Sequence, residues 1–414
     1  MMRERLLEKF LRYVAVSSQS DAKAKTVPSS AGQRALADLL AGELRALGLE
    51  EVSISEHGVL TACLPSNLEG REAAVVGWVA HLDTVDVSLS PDVHPHVVRA
   101  YRGGDIVLNN EKNIVLSVGE HPELERYVGD DIIVTDGTSV LGADNKSAIA
   151  NIMTALEVIV KEKRAHGTIY VAFVPDEEIG LLGAKTMDFE KFPVDYAYTI
   201  DCCETGELVY ETFNAGSATL VIGGVTAHPM SSKGVLVNPT LIATDFVGML
   251  DRGATPECTQ GKEGFVWVHA IESNPLRAVV RMKLRDHSLE GYRAKKATIA
   301  AAVEYLKVRH PKAAFELQMT DTYGNIADAV TPANRACIDQ LYRAFEIEGI
   351  APKTIAMRGG TDGSFISTKG ILTPNYFTGA HNFHSYCEFL PLSAFEKSLG
   401  VTLTLVDLIA GTKR

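Results

Sequence analysis

The chain moves between two hydrophobic rhythms. Apolar residues recur at helical spacing from Arg3 to Val14 and again from Gly32 to Leu47, where Leu36, Leu39, Leu40, Leu44 and Leu47 mark one face. Unbroken apolar runs at 73–80, 132–135, 168–174 and 196–200 then read as buried strands. Between the second and third lies an amphipathic helix whose apolar face is Ile149, Ile152, Met153, Leu156, Ile159 and Val160, predicted to end near Gly167. Strands alternating with helices predict an α/β fold: a mixed, mostly parallel sheet flanked by helices.

The rhythm changes in the middle of the chain. Strand 218–223, helix 239–250, strands 265–271 and 278–284, helix 289–308 and strand 314–319 follow in turn. That is the β-α-β-β-α-β order of a ferredoxin-like sandwich, a unit compact enough to be inserted into a larger domain. Beyond it, 332–349 is helical again and 375–378 can return a strand to the first sheet. The predicted organisation is a discontinuous main domain, 1–213 and 326–414, carrying an inserted lid and dimerisation domain over 214–325.

Composition narrows the function. The 414 residues exceed what one core usually supports, and 46% hydrophobic with 22% charged residues describes a globular chain. The formal charge of −12 excludes a phosphate-neutralising nucleic-acid binder. Charges interrupt every apolar run of the first fourteen residues, so no secretory or membrane segment is expected there and a cytoplasmic location is. Six cysteines without a C-x-x-C pair are expected to be reduced.

Candidate chemistry lies just past the apolar runs. His81 and Asp83 follow the first, Glu177 and Glu178 follow 168–174, and Asp201 follows 196–200. Asp144 opens the amphipathic helix and His384 comes shortly after the late strand. Carboxyl ends of parallel strands form the ligand crevice of open α/β sheets, so these groups are expected to converge. Clustered carboxylates and imidazoles repel or desolvate one another unless cations neutralise them, and two divalent ions would do so. His81 and Asp83 are two apart in extended chain and share a face, which lets Asp83 orient the imidazole. Glu177 and Glu178 would face opposite ways in a regular strand, so the strand must break there for both to serve one site, one binding metal and the other holding a water.

These residues stand in motifs: His81-Leu-Asp-Thr84, Leu141-Gly-Ala-Asp-Asn-Lys146, Pro175-Asp-Glu-Glu-Ile-Gly180, Thr199-Ile-Asp201, Arg358-Gly-Gly-Thr-Asp-Gly363 and His384-Ser-Tyr-Cys-Glu388. Together with Tyr101-Arg-Gly-Gly-Asp-Ile106 and Lys233-Gly-Val-Leu-Val-Asn238, they make nearly the whole chain resemble the peptidase T family, tripeptide aminopeptidases among the co-catalytic dizinc exopeptidases. The resemblance implies two zinc ions per subunit, one held by His81, Asp144 and Asp201 and the other by Asp144, Glu178 and His384. Glu177 would be the general base and Asp83 the orienter of His81. His381 occupies a position where relatives carry no ligand. The resemblance also implies substrate roles for His228, Arg285 and Arg358, a homodimer formed through the lid, and short peptides as substrates.

Two departures from the family pattern stand beside the site. Asn145 replaces the usual second aspartate, at a linkage that is a cis peptide in relatives, and Cys202-Cys203 occupies a normally glycine-rich stretch. The alternatives on this pattern are a dipeptidase, carboxypeptidase or N-acyl amino acid deacylase with the same metal set, or a catalytically silent binding protein.

Overall fold

In the computed structural model, residues 2–70 and 72–411 are described. They form two units: the first from the described residues within Met1–Tyr210, Ala329–Ile355 and Thr361–Arg414, the second from Glu211–Asp328 and Ala356–Gly360.

The first unit is built on an eight-stranded sheet in the spatial order Glu50–Ile54, Leu60–Leu64, Ile169–Val174, Val76–His81, Tyr196–Cys202, Asn375–Phe377, Glu207–Glu211, Lys353–Ala356. The four strands from Ile169–Val174 to Asn375–Phe377 are mutually parallel, while Leu60–Leu64 and Glu207–Glu211 join them antiparallel. The central strands are continuous apolar runs because both faces are covered. Trp78 and Val171 meet Ile152, Leu156 and Ile159 of the Ala143–Glu162 helix on one side. Val79, Ala172 and Ala197 pack with Ala184, Phe192 and Ile366 on the other. The Ala143–Glu162 helix, expected to be amphipathic, also packs against Met2–Val14 and Leu392–Gly411 and is instead buried almost all round, because neighbours cover its polar side as well.

One predicted strand belongs elsewhere. Ile132–Thr135 lies in a separate three-stranded antiparallel sheet between Phe389–Pro391 and Pro95–Val98. A short apolar run reads alike in either sheet, because hydrophobic continuity reports burial and not the partner strand. The predicted helix over 332–349 is shorter, Ala336–Ile347, and the one placed up to Gly167 stops at Glu162.

The second unit runs strand, helix, strand, strand, helix, strand. Its antiparallel sheet is ordered Phe265–Ser273, Arg277–Asp286, Asn214–Gly223, Ala314–Tyr323, and its helices are Pro239–Gly248 and Leu289–Arg309. Alternate residues face the helices: Ala218, Leu220 and Ile222 stand opposite Met282, Val280 and Ala278, and all pack with Ile242, Phe246, Ile299 and Val303. Asn238 starts the shorter helix by accepting from the amides of Thr240 and Leu241, and Ser288 starts the longer by accepting from Gly291.

Candidate active site

The parallel strands end in turns that carry acids. His81 closes Val76–His81 with its ring 2% exposed, and Asp83 two residues on is fully buried. The next strand over ends at Val174, after which Asp176 (φ +57°), Gly180 (φ +118°) and Leu181 (φ +59°) turn the chain sharply. This break lets the consecutive Glu177 and Glu178 serve one cleft. Asp83 fixes the turn, its Oδ1 accepting from the Glu177 amide at 3.0 Å and its Oδ2 from the Glu178 amide at 3.2 Å. Ser29 and Gln33 donate to the neighbouring Asp176 and tie the same turn to the N-terminal segment.

Asp144 is the centre of the cluster. Its Oδ1 lies 2.9 Å from Nε2 of His81 and its Oδ2 lies 3.1 Å from Nε2 of His384. Nε2 of His384 is also 3.0 Å from Oε1 of Glu178, and Nε2 of His81 is 3.9 Å from Oδ1 of Asp201. Nδ1 of His81 faces the Asp83 carbonyl at 3.0 Å and its carboxylate at 3.3 Å, leaving Nε2 to point at Asp144. His81, Asp144 and Glu178 each present a donor atom within 4.8 Å of the others.

Electrostatics follow from this crowding. Burial pulls the His81 imidazole toward its neutral form, but Asp144 and Asp83 outweigh it and hold its pKa well above the usual value. His384, with the Asp144 and Glu178 carboxylates against its ring, is pushed up to about 10. Asp144 is pulled below the ordinary carboxylate range: burial opposes this, and its two imidazole partners prevail. Burial raises Glu177, Glu178 and Asp201.

The donor set suits metal ions. Oε1 of Glu178 is sealed from solvent, and no hydrogen bond reaches it even though His384 stands 3.0 Å away. A tetrahedral ion with bonds of about 2.0–2.1 Å keeps its donors about 3.3 Å apart, slightly wider than the 2.9–3.1 Å between these atoms. An imidazole and carboxylates that would otherwise carry uncompensated buried charge are thus already converged at ligand spacing.

Glu388, at the end of the last motif, holds the loop before Asp144. It is 1% exposed, its Oε2 accepts from the amides of Leu141 and Gly142 at 2.7 and 2.9 Å, and its Oε1 accepts from the amide of Asp144 at 3.1 Å. One carboxylate therefore clamps the loop that presents Asp144. Asn145 follows through a cis peptide bond and donates from Nδ2 to Ile200 O at 2.7 Å and to Oδ1 of Asp201 at 2.9 Å. A neutral amide here holds Asp201 where an aspartate would repel it.

Neighbouring candidates separate from the cluster. His381 is 3% exposed, stacks on Phe389 and hydrogen-bonds to the Tyr127 hydroxyl at 2.7 Å, so its ring is engaged away from Asp144. Burial raises the Cys202 and Cys203 thiols, which disfavours the thiolate a metal would need. His228, Arg285 and Arg358 belong to the second unit. His228 is exposed, its Nδ1 accepting from the Met230 amide. Arg285 donates to the carbonyls of Gly216 and Leu284. Arg358 donates to the carbonyls of Gly261 and Glu263 and to Thr259 Oγ1, with its guanidinium over the rings of Phe213 and Phe265. These contacts make Arg358 an organiser of the 259–263 loop.

Residues 142–407 match the model of peptidase family M20/M25/M40. The chain belongs to that family. It is 52% identical to a peptidase T-like protein of Rhizobium meliloti over 410 residues, covering 99% of both chains, and 40% identical to peptidase T of Clostridium novyi over 406 residues, covering 98% of this chain and 99% of that one. The fold is shared with a crystal structure of an aminopeptidase from Bacillus cereus, with a TM-score of 0.76 and 22% identity over 99% of both chains. As an M20/M25/M40 member the chain is a peptide hydrolase, and family dependence on metal agrees with the cluster around Asp144. No helix among the described residues is long and apolar enough to cross a membrane.

Proposed function

We propose that this peptidase is an aminotripeptidase that removes the N-terminal residue of tripeptides, with two zinc ions held by His81, Asp144 and Asp201 and by Asp144, Glu178 and His384. What supports the ligand assignment is the Asp144 carboxylate, whose two oxygens face two different imidazoles at 2.9 and 3.1 Å. What supports the substrate class is the full-length similarity to proteins named peptidase T.

When bound, divalent ions supply Lewis-acid polarisation of the scissile carbonyl and acidify a water. The chain's own residues do the rest. Glu177, with its carboxyl raised by burial, takes the proton of the attacking water and passes it to the leaving amine. Asp83 holds both the His81 tautomer and the amides of the Glu177–Glu178 turn, so the base and a metal donor move as one piece. Glu388 keeps the Asp144 loop in register with them. Substrate contacts by His228, Arg285 and Arg358 and a homodimer through the second unit belong to the same proposal, as does a cytoplasmic location.

The test compares cleavage of a tripeptide, its N-acetyl form, a dipeptide and a hexapeptide by the zinc-loaded enzyme. Fast release of the first residue from the free tripeptide alone is expected. Equal rates on the blocked or the longer peptide would overturn the specificity. Absence of hydrolysis with zinc bound would return the chain to the class of binding proteins.

A further inference from the structure

We infer that Asp362 is the anchor for the free α-ammonium group of the peptide substrate, an inference that rests on the aminopeptidase reading above. Asp362 opens the short Asp362–Ser367 helix in the first unit and is 2% exposed. Its Oδ1 is sealed from solvent and has no hydrogen-bond partner.

The other acids of the cleft have partners or, in the case of Glu177, the base role proposed above. Asp83 accepts the amides of Glu177 and Glu178, Glu388 accepts three amides of the Asp144 loop, and Asp176 is bonded by Ser29 and Gln33. Asp144 and Glu178 stand against imidazoles, and Asp201 receives the Asn145 amide. The Asp362–Ser367 helix packs against Val76–His81 and Tyr196–Cys202, the strands that carry His81 and Asp201, which places Asp362 beside the cluster, where it feels the charges of His81, Asp83 and Glu178. The other influence of opposite sign besides His81 is Lys185, whose ammonium instead donates to the Gly180 carbonyl at 2.8 Å.

A buried carboxylate with an unmet oxygen is costly until a cation arrives. The cation of the reaction is known by its chemistry. The substrate's amine nitrogen is two bonds from the scissile carbonyl carbon, so the group that grips it must stand next to the metal donors without being one of them. Asp362 is the acid in that position with an oxygen to give. An N-acylated peptide has no charge there and would leave the carboxylate unpaired, which turns one residue into a filter for free N-termini.

The experiment uses two inhibitors on the zinc-loaded enzyme: leucine hydroxamate and its des-amino analogue, 4-methylpentanohydroxamic acid. Wild type is expected to bind the amine-bearing compound more tightly by on the order of 10- to 100-fold. In Asp362→Asn this ratio should fall to near 1, with zinc content and affinity for the des-amino compound unchanged. A ratio unchanged by the substitution, or loss of zinc from the variant, would overturn the assignment. Should the variant fail to fold, the wild-type complex with leucine hydroxamate decides: an ammonium within about 3.2 Å of the Asp362 carboxylate is expected, and one bonded elsewhere overturns it. Cleavage of N-acetyl tripeptides by wild type would instead defeat the aminopeptidase reading itself, an outcome visible before any variant is made.

Discussion

The strand that carries His81 and the strand that edges the second unit's sheet are both apolar in composition, yet they are buried differently. Val76–His81 is buried at every position, whereas Phe265–Ser273 alternates, with Trp267 43% and Ile271 50% exposed. A strand covered on both faces can offer polar groups only at its ends, and parallel neighbours put those ends on one edge. An antiparallel strand covered on one face spreads its polar groups along the other. Convergent chemistry in this molecule is therefore a product of parallel topology, and the second unit stores its free energy in an apolar layer instead.

The largest expected effect breaks the first unit's half of that contrast. Glu177→Gln keeps the shape of the side chain and removes its ability to take a proton. Turnover is expected to fall by on the order of 10²- to 10⁴-fold with zinc content unchanged, measured by steady-state kinetics beside metal analysis. Full activity in this variant would exclude Glu177 as the base.

The counterpart in the second unit is Phe246→Ala. Phe246 is fully buried among Ile242, Val280 and Val303, and its truncation is expected to cost about 3–5 kcal/mol of that unit's stability in denaturant unfolding. Zinc content should not change. A variant that lost metal as well as stability would show that the two units do not hold their properties separately.

How much of this was legible in the sequence depends on what kind of signal each feature leaves. Three of the four parallel strands, Val76–His81, Ile169–Val174 and Tyr196–Cys202, and the long helix behind them announce themselves because full burial demands unbroken apolar runs. That His81 and Glu178 would come together was legible for a related reason, since topology fixes where strand ends go before any side chain is considered. Ile132–Thr135 was assigned to the wrong sheet because burial does not name a partner. Glu388 was missed as a clamp because its partners are backbone amides of Leu141, Gly142 and Asp144, which leave no trace in side-chain identity. Arg358 leaves its role open to the sequence for another reason: a guanidinium presents the same fork to a substrate and to the carbonyls of Gly261 and Glu263 that it meets here.

Glu388 gives the next expected effect. In Glu388→Gln the amide NH2 would be set against at least one of the backbone N–H groups that the carboxylate now accepts, so the Asp144 loop must shift. Zinc affinity is expected to weaken by about 10- to 100-fold, read by competition with a chromophoric chelator, with folding stability little changed. Unchanged affinity would mean the loop holds its shape without the clamp.

The smallest effect sharpens the comparison most. Ile271 lies on the exposed edge strand of the second unit, paired with Val280 across one side only. If that face meets only water, Ile271→Ser removes no more than the half of the residue already covered within the chain, and stability should move by about 1 kcal/mol. A second copy of the chain covering the edge would change the arithmetic, because the substitution would then remove further buried apolar surface and the loss would grow as protein concentration falls. Unfolding measured at two concentrations well apart separates the cases. A small, concentration-independent shift keeps Phe265–Ser273 as a solvent-facing edge; a large, concentration-dependent one places a homodimer contact there.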